Sequence, residues 1–350
     1  MTLCTETDPE SKKPRCSVVV RCYNEERHIG RLLRGIMEQT IDDVQIVVVD
    51  SGSTDRTVEV AGHYPIDLVR IRKEDFSFGF SLNAGIHAAR ADIVVLASAH
   101  VFPTYRDWLE RLIAPFEDSQ VALTYGKQRG NEQTRFSEER IFRGWFPETS
   151  DPWQSDPFCN NANAAIRRSV WQEIPYDESL TGLEDLAWGK QALAQGYRIA
   201  YVAEAEIIHV HEETSAQIFR RYEREAMALN AIYSDSRFSF GSFLRLASHN
   251  IWSDWVAAAR AGRLFGNLFD VARFRVLQFW GTYWGFRQPD EVSEQLRMRF
   301  YYPPATAPRR IEPEPRRPDA TPVDYVLTGS QSGKTKSLPE RSEIRTLARE

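Results

Sequence analysis

The chain has 350 residues, 42% of them hydrophobic, enough to bury a sizeable core in one large domain or two small ones. Its formal net charge of -5, from 44 Lys and Arg against 49 Asp and Glu, lacks the basic footprint of a nucleic-acid binder. The four cysteines, Cys4, Cys16, Cys22 and Cys159, show no C-x-x-C spacing, so neither a structural zinc site nor a disulfide framework is suggested.

Residues 1–14 are polar and charged, lack the apolar core of a signal peptide and are read as a flexible N-terminus. No apolar run reaches the roughly 18 to 20 residues that span a bilayer. The expected location is the cytoplasm, either free or peripheral at the inner face of the membrane.

Residues 16–20 predict a β-strand, and Ile29, Leu32, Leu33 and Ile36 place one apolar face on a helix over 28–39. Residues 44–49 predict a second strand. It ends in the turn cluster Asp50-Ser51-Gly52-Ser53-Thr54-Asp55, where Thr54 or Asp55 can cap a helix through Ala61. Residues 67–71 predict a third strand, 82–89 a helix capped by Ser81, and 93–97 a fourth strand. Strands alternating with helices imply a mainly parallel sheet with flanking helices. Ligands of such sheets lie beyond the carboxyl ends of the strands. That rim carries Arg21 to Glu25, Asp50 to Asp55, and Ser98 to His100.

Residues 125–153 are rich in charge and aromatics without periodicity, and read as loops and a short helix around a cleft. Residues 164–167 and 199–202 predict further strands, and 186–195 a helix that Gly196 stops. A helical stripe runs through Ile218, Tyr222, Leu229 and Tyr233, closing a catalytic domain over 15–235. Two aromatic helices follow, near 242–260 and 264–286, in a C-terminal region of 236–302. From residue 303 the composition predicts a disordered tail. Its Gly329-Ser330-Gln331-Ser332-Gly333-Lys334-Thr335 is one residue short of a phosphate-binding loop and lacks the flanking strand and helix.

The chemistry starts at Asp50. A carboxylate at a strand end can accept hydrogen bonds from a base or ribose, and the small residues after it let backbone amides approach a phosphate. One strand earlier stands Val19-Val20-Arg21-Cys22-Tyr23-Asn24-Glu25-Glu26. No glycine lies between Arg21 and Arg27, which argues against a dinucleotide fingerprint. Together the two segments closely resemble the opening of family 2 glycosyltransferases, which have the GT-A fold. The resemblance implies nucleotide contacts from Tyr23, Glu25 and Asp50, with Arg21, Ser51 and Ser98 beside them. Phe76-Ser77-Phe78-Gly79-Phe80-Ser81-Leu82-Asn83 is similar to a segment of the rhamnosyltransferase-like branch, which implies that Asn83 supports the donor site.

Family members normally end the fourth strand in D-x-D, whose carboxylate holds Mn²⁺ or Mg²⁺ on the diphosphate. This chain reads Ser98-Ala99-His100, the S-A-H form of a sub-branch. An imidazole favours Mn²⁺ over Mg²⁺. His100 either ligates such an ion or donates a hydrogen bond to phosphate directly. Downstream, Asn160-Asn161-Ala162-Asn163 precedes Gly182-Leu183-Glu184-Asp185-Leu186-Ala187-Trp188. A Glu-Asp pair at a helix start is often only a dipole partner. In this setting it resembles the family's acceptor-side motif, which implies that Asp185 is the catalytic base, with Glu184 as the fallback and Asn161, Asn163 and Trp188 around the acceptor. His209 and His211 share one side of a strand, and the resemblance implies that at least one, His211 first, meets the metal or diphosphate.

The reading is an inverting glycosyltransferase that moves a sugar from a nucleotide-diphosphate donor to a glycan or lipid-linked acceptor. A non-catalytic nucleotide-sugar-binding subunit is the alternative. A nucleotidyltransferase lacks support because the Gly-rich basic loop is absent. The aromatic helices, with Phe265, Phe269, Phe274 and Trp280 among Arg263, Arg273 and Arg275, pack on the catalytic domain, lie in a membrane interface, or form a contact in a homo-oligomer.

Overall fold

β1 (Cys16–Cys22) and β2 (Val44–Asp50) are near-continuous apolar runs, as expected of parallel strands covered on both faces. The computed structural model describes residues 13–288, Arg317, residues 319–325 and the backbone of 345–347. β3 (Asp67–Ile71) and β4 (Ile93–Ser98) flank this pair in parallel, giving the order β3-β2-β1-β4. Between them run α1 (Ile29–Met37), α2 (Thr57–Ala61) and α3 (Phe78–Ala88). In register, Cys22 stands beside Asp50 and Arg21 beside Ser98. The loops that leave these strand ends therefore share one rim.

The sheet continues past β4 with antiparallel β8 (Asn163–Arg167), then β6 (Val121–Arg129), β9 (Arg198–His209) and β5 (Val101–Pro103). β7 (Asp151–Gln154) pairs with β9, and β10 (Arg345–Leu347) lies parallel to β3 at the far edge. The fold is α/β of the GT-A type. Alternation along β1 sends Val19 into one apolar cluster, with Val47, Leu82 and Trp188, and Val18 and Val20 into the other, with Leu32, Leu33 and Trp108. α4 (Trp108–Ile113) and α6 (Arg168–Glu173) cover the antiparallel half.

The expectation of loops from residue 125 onward misses β6. Its second half reads Tyr-Gly-Lys-Gln-Arg, yet every residue of the strand is buried. The charges are neutralised in place: Lys127 Nζ lies 3.0 Å from Glu206 and 2.9 Å from Glu148, and Arg129 lies 2.7 Å from Glu148. The hydrophobic pattern is lost, while the strand is kept by ion pairing. α5 (Phe136–Trp145) and β7 fill the rest of that segment. At the start of α3 the cap is Ser77, whose hydroxyl accepts from the Phe80 amide, in place of the expected Ser81.

α7 (Glu184–Ala194) leads into β9, and α8 (Ser215–Ile232) opens with a capping box of Thr214 and Gln217. α9 (Phe240–Arg260) and α10 (Leu264–Gly285) then fold back. α10 meets α8 through Gly281 and Gly285: a Cβ at 281 would strike the Phe219 carbonyl and one at 285 the Glu223 carbonyl. A buried carboxylate, Asp254, ties α9 to α5 and α10 by accepting from Ser137 at 2.6 Å and Arg275 at 2.8 Å, with Arg140 at 2.9 Å. The inner faces of the C-terminal helices thus pack on the catalytic domain.

The tail expected to be disordered from residue 303 is in part seated on the domain. Arg317 bridges Asp107 at 2.7 Å, Pro322 pairs with Tyr105, and the Tyr325 hydroxyl donates to the Pro103 carbonyl at 2.8 Å. Residues 1–12, most of the expected tail, and the Gly329–Thr335 motif lie outside the described residues.

The glycine seam makes a test. Gly285→Ala forces α10 away from α8 and is expected to cost about 1–3 kcal/mol, in the range of overpacking substitutions. Thermal unfolding should then fall by several degrees, whereas Gly266→Ala, in open space on the same helix, should leave it within about a degree.

Candidate active site

The rim loops are braced against each other before any ligand arrives. Asn24 adopts a left-handed φ of 55°, which asparagine tolerates. Its backbone N–H donates to Ser53 Oγ at 2.9 Å, and its side-chain oxygen accepts from the Thr54 amide at 2.8 Å. The Glu25 amide donates to Thr57 at 2.7 Å. The loops after β1 and β2 are therefore one rigid platform. Asp50 serves it from within: its carboxylate is buried and accepts from the amides of Gly52 and Ser53.

Across the cleft stands the start of α7. Leu183, the residue before it, has φ 53° and ψ 27°, a left-handed conformation that a branched aliphatic rarely adopts. That turn projects Glu184 and Asp185 inward at a helix N-terminus. Asp185 accepts from the amides of Asn161 at 3.1 Å and Leu186 at 2.8 Å. Burial and the neighbouring Glu184 carboxylate push its pKa up to about 7, against these hydrogen bonds and Arg21. Glu184 faces Arg21 at 3.3 Å and the Asn161 side chain at 3.4 Å. Arg21 also lies over the Phe78 ring at 5.0 Å, and Arg224 of α8 lies over the same ring at 4.7 Å.

The third wall is histidine. His100 Nδ1 is 2.7 Å from Glu25, His209 Nδ1 is 2.8 Å from the Gln128 side-chain oxygen, and His211 Nδ1 is 3.1 Å from Glu138. Each Nδ1 is held by an oxygen acceptor, so each ring offers its Nε2. The Nε2 atoms of His209 and His211 lie 3.1 Å apart. Burial pushes His209 well below the usual imidazole range, with His211 and His100 adding to the effect. Burial also acts downward on His100, but Glu25 and Glu213 outweigh it and its net shift is upward. Glu138 is held down to about 2 in spite of its burial, by His211, Arg221 and Arg135. All three walls enclose a cleft of about 1060 Å³.

This arrangement sets a braced loop pair opposite a buried carboxylate whose pKa is raised to about 7. Residues 17–174 match the glycosyl transferase family 2 model. The chain is a glycosyltransferase, similar to family 2 over those residues. The O-antigen chain rhamnosyltransferase RfbN of Salmonella typhimurium is 26% identical over 221 residues, 59% of this chain and 70% of that one. WbaN of Salmonella anatum, of the same description, is 28% identical over 222 residues, 60% of this chain and 70% of that one. Among solved structures, a mannosyltransferase of Pyrobaculum calidifontis in complex with GDP-Man and Mn²⁺ shares the fold, with TM-score 0.53 and 20% identity over 83% of this chain and 86% of that one.

The transferase cleft brings together Arg21, Tyr23, Glu25, Ser51, Ser98, His100, Asn161, Glu184, Asp185, His209 and His211. Four expected site residues are not on its wall. Asp50 is turned onto its own loop. Asn83 accepts from the Trp171 indole and the Tyr176 amide, and donates to the Tyr176 carbonyl and Glu178, so its amide is spent on holding the 176–178 turn. Asn163 is fully buried between the Trp108 indole, Lys127 O and Ala205 O. Trp188 is a core residue that donates to Ile174 O and stacks on Tyr176. In each case a polar group was free to serve the fold because the packing offered it a buried partner.

Sequence reasoning also passed over Glu138, Gln128, Arg221 and Arg224. On α8, the charged residues at 221, 224 and 225 interrupt the face of the helix at helical spacing, and that signal was available. Gln128 and Glu138 had none, since they act only through the histidines they orient. Among the described residues, one group of three donors lies within mutual reach of a cation, namely Glu138, His211 and Glu213. Arg221 already bridges both of its carboxylates, at 2.9 and 2.7 Å.

The position of Asn83 yields a test. Asn83→Ala strips four part-buried hydrogen bonds and should lower the unfolding free energy by about 2 kcal/mol. Donor affinity by titration should stay within about threefold; a loss of binding at unchanged stability would return Asn83 to the donor site.

Proposed function

We propose that the cleft performs single-displacement, inverting transfer of a sugar from a nucleotide-diphosphate donor to a hydroxyl of a glycan or lipid-linked acceptor, in polysaccharide or glycolipid synthesis. The observation that carries this reading is Asp185: a buried carboxylate with a raised pKa, held by two amides and facing the braced loops across the cleft. A base of this kind accepts the acceptor proton as the hydroxyl oxygen bonds to the anomeric carbon and the bond to the diphosphate breaks. The adjacent carboxylate, Glu184, is engaged by Arg21 and so is not placed as a nucleophile. Arg21 and Arg224 supply positive charge toward the leaving diphosphate. The rhamnosyltransferase description of the relatives makes a deoxyhexosyl donor the first to test.

The histidines fit a divalent cation. With Nδ1 of His209 and His211 donating to Gln128 and Glu138, two ring lone pairs face each other at 3.1 Å, and either a proton or a metal cation must lie between them. Carboxylate and amide acceptors behind ligating imidazoles are the usual support of such ligands. His209 and His211 would hold the ion, with His100 beside them, and imidazole donors favour Mn²⁺ over Mg²⁺. When bound, the ion neutralises charge on the donor diphosphate.

Two measurements bear on this. In a panel of nucleotide-sugar donors, release of nucleoside diphosphate should rise with pH through about 7, because the base works only when deprotonated and its pKa is raised to about that value. Asp185→Asn should lower it about 10²–10⁴-fold. Donor binding with no turnover in any panel member, with or without acceptor extracts, would instead favour a non-catalytic binding subunit. Mn²⁺ titrated by electron paramagnetic resonance should bind the wild type. The His209→Ala/His211→Ala variant should weaken that binding at least about tenfold. Displacement of Mn²⁺ by equimolar Mg²⁺ would count against imidazole ligation.

A further inference from the structure

The two C-terminal helices bury their inner faces and leave an outer one bare. On α10, Phe265 is 93% exposed and Phe269 84%. Val276 continues the same stripe seven residues on, and α9 adds Trp252, 67% exposed. Among the described residues no helix is long and apolar enough to cross a membrane. The stripe is therefore a surface feature.

Its charge is one-sided. Residues 240–288 contain six arginines and two aspartates, with no lysine or glutamate, in a chain of net charge -5. Asp254 is buried against Arg275 and Arg140. Of the five exposed arginines, Arg273 pairs with Asp270 and Arg263 with Glu139 of α5, which leaves Arg245, Arg260 and Arg287 in excess. An isologous contact between two copies would bring these arginines against each other. An anionic lipid surface complements them, and aromatic side chains flanked by arginine suit the headgroup layer.

We propose that this face docks on an anionic lipid bilayer, with Phe265 and Phe269 in the headgroup layer. Docking stands on the stripe and its charge, independently of the transfer reaction proposed above.

The test is flotation of the full chain with phosphatidylcholine vesicles, with and without phosphatidylglycerol. Wild type should float with the anionic vesicles, less so at high salt, and stay behind with neutral ones. Phe265→Ser/Phe269→Ser should lose at least about tenfold in binding. Its thermal unfolding and its acceptor-free donor hydrolysis should be unchanged. Arg260→Glu/Arg273→Glu should lose the preference for anionic vesicles with the aromatics intact. Failure of the wild type to float, or equal flotation of both variants and wild type, overturns the proposal. So does a wild-type dimer that the Phe265→Ser/Phe269→Ser variant converts to monomer, which would assign the stripe to a second copy. Flotation without hydrolysis of any donor would keep the docking and reject the transfer reaction.

Discussion

The ion pair between Arg21 and Glu184 spans 163 positions of chain and joins the end of the first strand to the start of α7. Two adjacent carboxylates in a buried site cannot both stay ionised without a counter-charge. Arg21 supplies that charge to Glu184. Asp185 has backbone amides for partners, and burial and the Glu184 carboxylate raise its pKa. One guanidinium thus pairs with one of two adjacent carboxylates and leaves the other to the backbone. It also brings the two halves of the cleft into register, since β1 belongs to the parallel half of the sheet and α7 follows the antiparallel one.

The parallel half was legible because it obeys simple rules. Valine runs, turn clusters and amphipathic helices alternate there, and the strand ends fall within a residue or two of their expected places. The rim follows from the same logic, since parallel neighbours in register bring their exit loops together. The antiparallel half was less legible. β6 hides its strand character behind lysine, glutamine and arginine, and only the partners Glu148 and Glu206, distant in sequence, make those residues tolerable inside.

The same divide runs through the site. Asp185, Glu184, Arg21 and the three histidines reached the cleft because their motifs sit at element ends, where the fold has few places to send them. Asn83, Asn163 and Trp188 carry motif-like neighbours too, yet Asn83 and Trp188 stand inside helices and Asn163 opens β8 fully buried. There, buried carbonyls, amides and indoles needed partners, and these side chains met that need. Sequence pattern marks a polar residue as unusual; only packing decides whether its hydrogen bonds are spent inward or held out to a ligand.

α8 has a double allegiance. One of its faces carries Arg221 and Arg224 into the cleft, and another is pressed against Gly281 and Gly285, where α10 puts no side chain between. Backbone-to-backbone packing leaves little room for a compliant layer. A helix pair set this close stands about 8 Å apart, at the tight end of the usual range. The helical extension therefore works as a ruler: whatever surface the outer stripe rests on is held at a set height from Asp185. That height, rather than any pocket for a particular sugar, would then select acceptors by how far their free hydroxyl stands from their point of attachment.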